Sequence, residues 1–227
     1  MKSATLEEIY RSANAKTVAT WAEKPGIGKV KEENYYDPMN LALATGIQPP
    51  LSAAVSRLIT ALQQCIQHDP LADLLPARGF HLTFLPLTLP LYKEHEPLPE
   101  KVAQLAAIWS DYEAKKLVIR HLRLVALPDQ LLLAGIPESP AADLRQTFCE
   151  QVMQSDWKAE LLMRHAGRAL PAPFWHSTIL RYHADFLPDS LRRCFLEHQD
   201  RDYGEVSGEL ILASVNYNWT TCHPLSR

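Results

Sequence analysis

The sequence predicts an α/β (α+β) protein of two pseudo-symmetric lobes, with antiparallel sheets facing a central cleft and an extra helix at the N-terminus. Three observations lead there. A succession of strand, helix, strand, helix and strand patterns starting near Leu41 is met again in the same order from Leu131. Equivalent landmarks in the two runs are offset by about 90 residues, so the module is present twice. In each copy the middle strand carries a His followed two positions later by a Thr, His81-Leu82-Thr83 and His176-Ser177-Thr178, 95 positions apart. Residues 1–39 then form an N-terminal helical extension and residues 40–227 a bilobal domain, whose halves are 40–127 and 128–227.

Composition bounds what such a chain does. Its 227 residues suffice for a sizeable core in one compact unit. With 47% hydrophobic and 22% charged residues, neither disorder nor a fibrous class fits. A formal net charge of −3 excludes a protein that coats long duplex nucleic acid, where phosphate neutralisation dominates binding; a small nucleotide or the end of an RNA strand stays open. Cys65, Cys149, Cys194 and Cys222 are scattered without a CxxC pair, so they are read as reduced, structural thiols. No apolar run is long enough to span a bilayer, and the stretch from Met1 to Glu8 lacks a signal-peptide apolar core. The expectation is a cytoplasmic monomer that makes no membrane contact.

In chain order, Thr5 and Glu8 have capping-box spacing ahead of a helix to about Glu23, with an apolar stripe through Leu6, Tyr10 and Trp21, and Pro25-Gly26 stops it. Gly26-Ile27-Gly28-Lys29 has a passing likeness to a phosphate-binding loop. It lacks the preceding strand, the earlier glycine and the Ser or Thr after lysine, and is read as a plain loop. The first copy of the module comprises a strand over 41–47, a helix over 51–66, the His81 strand, a helix over 97–114 and a strand over 117–125. Pro128-Asp129 makes the turn of a hairpin into the Leu131 strand, which opens the second copy. A helix over 140–153, a long connection, the His176 strand, a helix over 188–197 and a strand over 209–217 complete it.

Alternation along a strand puts His81 with Thr83, and His176 with Thr178, on one face, each pair about 7 Å apart. Phe80, Leu82 and Phe84, and likewise Trp175, Ser177 and Ile179, fall on the opposite face, against helices. A pseudo-twofold brings the two His-x-Thr pairs to opposite walls of the cleft. These motifs, His81-Leu82-Thr83-Phe84 and His176-Ser177-Thr178-Ile179, resemble those of the 2H phosphoesterase superfamily, which includes bacterial RNA 2′,3′-cyclic phosphodiesterases also described as 2′,5′ RNA ligases. The likeness runs from about Leu41 onward and leaves out the N-terminal helix.

What the resemblance implies agrees with elementary chemistry. Hydrolysis of a phosphodiester needs a base to take a proton from water and an acid to protonate the departing oxygen, and imidazole serves either purpose near neutrality. His81 and His176 are the expected catalytic pair, with Thr83 and Thr178 donating to the non-bridging oxygens. No metal or other cofactor is expected, and the partner is a nucleotide, cyclic nucleotide or RNA end. The alternative is a nucleotide-binding module that uses the same cleft without turnover.

Further residues follow from the same pattern. The superfamily often carries a basic residue shortly after the second motif, and Arg181 stands there; strict alternation turns it away from the cleft unless the strand bulges first. Pro86 holds the matching place after the first motif. Tyr217 and Trp219, expected on the last strand, are candidates for stacking on a base, although aromatics on a strand more often belong to the core. Arg78, Arg164 and Arg168 flank the motifs and are candidates to line the cleft, although solvated surface is the expected state for each. His121, His165, His183 and His198 have no metal-ligand spacing, and no GxSxG elbow supports Ser177 as a nucleophile.

Overall fold

The computed structural model describes residues 4–32 and 37–225. In chain order the elements are α1 (Leu6–Glu23), β1 (Asn40–Ile47), α2 (Ala53–Ile66), β2 (Ala72–Leu74), β3 (Leu82–Pro86), β4 (Tyr92–Lys93), α3 (Val102–Trp109), β5 (Lys116–Leu127), β6 (Gln130–Pro137), α4 (Ala141–Met153), α5 (Lys158–Arg164), β7 (His176–Tyr182), α6 (Asp189–His198), β8 (Val206–Glu209), β9 (Ile211–Val215) and β10 (Cys222–Pro224). They build a mixed α/β fold with two antiparallel sheets. One has the order β10-β9-β1-β3, with β4 paired to the start of β1, and the other β2-β7-β6-β5-β8.

The doubled module is present, but its halves exchange strands. β5, from residues 40–127, lies between β6 and β8 in the second sheet, while β9, from residues 128–227, lies beside β1 in the first. The helices cross over in the same way, α2 packing on α6 and α3 on α4. The sequence halves therefore do not own one sheet each. A continuous apolar core joins both sheets through residues such as Leu43, Phe84, Leu124 and Trp175.

Three element boundaries differ from expectation. The helix over 97–114 shortens to α3 because Pro97 and Pro99 delay its start, and Ala114 turns left-handed (φ 58°) to lead the chain into β5. The strand over 209–217 breaks at Leu210, whose N–H donates to Lys115 while its carbonyl accepts from Ala114; β8 before the break and β9 after it belong to different sheets. The connection ahead of Phe174 contains α5, whose N-cap Trp157 and Leu161 are buried at helical spacing.

α1 closes its first turn with the expected capping box, Thr5 Oγ1 accepting from Glu8 N and Glu8 Oε2 from Thr5 N. It then lies along β5: Thr17 Oγ1 donates to the Ala126 carbonyl at 2.8 Å, and Trp21 Nε1 to the Pro128 carbonyl at 3.0 Å. The Gly26–Lys29 loop turns against a carboxylate, Asp185 Oδ2 accepting from Lys29 N at 2.8 Å, so no phosphate cradle is formed.

Candidate active site

β3 and β7 are equivalent strands of the two sheets, and both turn their His-x-Thr pairs into one cavity of about 490 Å³. His81, Thr83, His176 and Thr178 all line it, as do Arg181 and Tyr217. Phe80 and Leu82, with Trp175, Ser177 and Ile179, are buried and stay out of the cavity lining, as alternation requires, whereas the buried Phe84 also borders the cavity.

The chain reaches His81 from a single 3-10 turn, Ala77–Gly79. A Cβ on Gly79 would lie 2.2 Å from the Asn218 carbonyl, so only glycine lets the turn after β9 approach this closely. That turn is locked by Asn216, whose Oδ1 accepts from Thr221 N and whose Nδ2 donates to Thr220 Oγ1, and it carries Trp219 in a left-handed conformation (φ 56°). The indole then stacks on the His81 ring, centroids 4.8 Å apart. On the imidazole itself, Nδ1 lies 2.7 Å from the Gly79 carbonyl. A carbonyl only accepts, so Nδ1 bears the hydrogen and the lone pair of the neutral ring is on Nε2. Burial, with Arg181 and His176 nearby, pushes His81 down to about 3 against the pull of the Gly79 bond.

His176 opens β7 opposite Ala134 of β6. Its approach is held from two sides. The hydroxyl of Tyr10 in α1 accepts from Trp175 N at 3.1 Å and donates to the Gly135 carbonyl at 2.8 Å, standing in the β6–β7 ladder. Arg145 of α4 lays its guanidinium over the Trp175 ring at 3.7 Å and donates to the Phe174 carbonyl. The His176 Nδ1 has no hydrogen-bond partner among the described residues, and the ring stands edge-on to Phe174 at 6.1 Å. Burial, then Arg181 and Arg145, push His176 down to about 4.

Arg181 reaches the cleft through a bulge. Along β6 the partner of Leu131 is Leu180 and that of Leu132 is Thr178, so Ile179 is an extra residue and alternation restarts one position later. Arg181 therefore shares a face with Thr178. β3 has the matching bulge, Thr45 pairing with Leu85 and Gly46 with Thr83, which leaves Phe84 over. The guanidinium of Arg181 lies 5.2 Å from the Tyr217 ring centroid and 4.0 Å from Asp73 Oδ2. Burial and Asp73 raise the Tyr217 phenol above its usual range.

Two expectations need correction. Tyr217 and Trp219 are not on a strand: they belong to the turn between β9 and β10, and Trp219, 4% exposed, covers His81 rather than offering a free face. Arg164 and Arg168 are not simple solvated surface, since both line the cavity; Arg78 is exposed and does not. Sequence reasoning did not reach Arg145 or the cavity-lining role of His165. The Trp157 and Leu161 spacing of α5 was the available signal for the segment that brings Arg164, His165 and Arg168, and Asn216-x-Asn218 for the turn under His81. Among the described residues no group of three His, Cys, Asp or Glu side chains is placed to hold a metal ion. No described helix is long and apolar enough to cross a membrane.

No protein-family model matches the sequence, and no curated protein sequence matches it. Solved structures do resemble it. TT0787 of Thermus thermophilus is 17% identical over 82% of this chain and 95% of its own, with a TM-score of 0.50. Escherichia coli LigT complexed with 3′-AMP is 16% identical over 84% of this chain and 96% of its own, with a TM-score of 0.48. At such identity the likeness to TT0787 establishes architecture, and the chain has the two-sheet fold of the 2H phosphoesterases.

Proposed function

We propose that the protein is a phosphoesterase that opens a nucleotide or RNA-end 2′,3′-cyclic phosphate, or a related phosphodiester, with His81 and His176 exchanging the protons. What supports this reading is that two His-x-Thr pairs from separate sheets face one cavity whose wall carries no Asp or Glu among the described residues. An anionic ester is drawn into such a site and a cationic ligand is not.

The fixed tautomer divides the roles. With Nδ1–H committed to Gly79, His81 has Nε2 free to accept a proton from water and is the base. His176 is the acid. In the free protein burial and Arg181 keep both rings neutral at pH 7. The ester brings a negative charge between them, which raises the pKa of a neighbouring imidazole and lets His176 carry the proton to the leaving oxygen. Thr83, Thr178 and Arg181 donate to the two non-bridging oxygens as charge gathers there, and Tyr217 steadies Arg181 from beneath.

The test is incubation with nucleoside 2′,3′-cyclic phosphates and with short RNAs ending in one, in the presence and absence of a chelator, followed by chromatography of products. Ring opening unaffected by chelation is expected, with His81→Ala and His176→Ala each slowing it by about two to four orders of magnitude. Ligand bound but returned unchanged identifies a binding module and overturns the reading; so does full activity in either variant.

A further inference from the structure

The cleft holds more positive charge than one phosphodiester uses. Four arginines, Arg145, Arg164, Arg168 and Arg181, line it with no carboxylate among the described residues, in a chain whose formal net charge is −3. Some cations elsewhere are matched, Lys31 with Asp129, Lys101 with Glu160 and Arg123 with Glu7, while others such as Arg57 and Arg193 make no ion pair among the described residues but lie outside the cavity. Arg164 and Arg168 make no ion pair among the described residues.

The position of this pair is built rather than incidental. Pro86 occupies on β3 the place that Arg181 has on β7, so the first half lacks a basic side chain there. α5 supplies it from outside. His165 Nε2 donates to the Pro86 carbonyl at 2.9 Å, and Arg168 N to the His165 carbonyl at 2.9 Å, which pins the segment to the end of β3. Arg164, half-buried, and Arg168, exposed, thus line the cavity from a segment held at the end of β3, whereas Arg181 lines it from β7. Arg164 in the last turn of α5 is stabilised by the helix dipole, so the empty protein tolerates an unpaired cation there.

We propose that Arg164 and Arg168 form a second anion seat, and that the substrate accordingly bears a phosphate besides the scissile one. This rests on the phosphoesterase reading. The scissile group offers two non-bridging oxygens, already served by Thr83, Thr178 and Arg181, whereas a cavity of about 490 Å³ takes a whole nucleotide. The substrate class is a nucleotide cyclic phosphate extended by one more phosphate, either a 5′-terminal phosphate or the internucleotide phosphate of an RNA end. Arginine suits this seat because its planar fork pairs with two phosphate oxygens at once.

The experiment compares kcat/KM on three substrates sharing one scissile group: a nucleoside 2′,3′-cyclic phosphate, its 5′-phosphorylated form, and a dinucleotide ending in the same cyclic phosphate. Wild-type protein should prefer at least one phosphate-extended substrate by about ten- to a hundredfold, the size of one or two charge-assisted hydrogen bonds. Which of the two is preferred tells a terminal from an internucleotide phosphate. In Arg164→Gln/Arg168→Gln the preference should fall to about two- or threefold, as those bonds are lost. No preference in the wild type overturns the proposal, and so does one that survives the double substitution. Should no ester be opened, the phosphoesterase reading has failed, and calorimetry with a nucleoside 3′,5′-bisphosphate against the 3′-monophosphate still decides the seat. Tighter binding of the bisphosphate that depends on the two arginines supports it; equal dissociation constants overturn it.

Discussion

The imidazole of His81 lies flat on the indole of Trp219, its plane within 8° of parallel. Together with the Nδ1–Gly79 bond this contact leaves the ring one orientation. Trp219→Ala removes a buried aromatic and should cost about 3–5 kcal/mol in urea unfolding. It should also slow turnover about a hundredfold, because a base displaced by an ångström loses its alignment. Trp219→Phe, which keeps a flat ring, should recover most of the rate. Equal rates in all three proteins would show that the stack does not orient the base.

Arg181 lowers the pKa of both histidines, so Arg181→Gln should raise both. NMR titration of the imidazole carbons reads this directly. Loss of a donor to the non-bridging oxygens should at the same time reduce kcat about 10²- to 10³-fold. Unmoved titrations would place the guanidinium away from the rings in solution.

Acid should destabilise the fold earlier than carboxylates alone predict. Unfolded imidazole takes up a proton near pH 6.5, whereas folded His81 and His176 do so only near 3 and 4. Between those limits the unfolded chain binds more protons, so the two residues leave stability intact above pH 6.5 and erode it as pH falls. The slope approaches about 1.4 kcal/mol per pH unit for each. Thermal melts from pH 7.5 to 4 at constant ionic strength should show this, and His81→Gln/His176→Gln should flatten the curve. The same slope in the variant would assign the loss to other groups.

Tyr10 joins α1 to the start of β7. Tyr10→Phe keeps the ring against Phe174 but strands the Trp175 N–H and the Gly135 carbonyl, and should cost about 1–3 kcal/mol. Because the bond lies one residue before His176, turnover should fall as well. Hydrogen exchange at the Trp175 amide, faster in the variant, separates this from a general loss of stability.

Most of this architecture can be read in the amino-acid order. Hydrophobic periods mark the doubled module and the two His-x-Thr strands, because each strand buries one face and opens the other. Arg181 was legible only as a conditional, since alternation and a bulge give opposite answers and the extra residue Ile179 is set by pairing with β6. The fate of the last strand was not legible. Whether residues 206–215 form one strand or two depends on which sheet each end reaches, and the break falls at Leu210, an apolar residue no local signal distinguishes from its neighbours. Arg164 and Arg168 look like any exposed basic pair until Pro86 is seen to anchor the residue between them.

The exchange of β5 and β9 bears on how such a molecule is divided or inherited. β5 completes the sheet of the other half and β9 returns the favour, so a fragment holding one half alone has a strand with no sheet to join and a sheet with an open edge. The smallest closed assembly of single halves is a strand-swapped pair, two copies each lending the other its last strand. A pair of that kind already has two histidines facing each other. Joining the copies in one chain frees them to diverge, so that one half-site keeps an arginine at the bulge and the other recruits a helix to replace it.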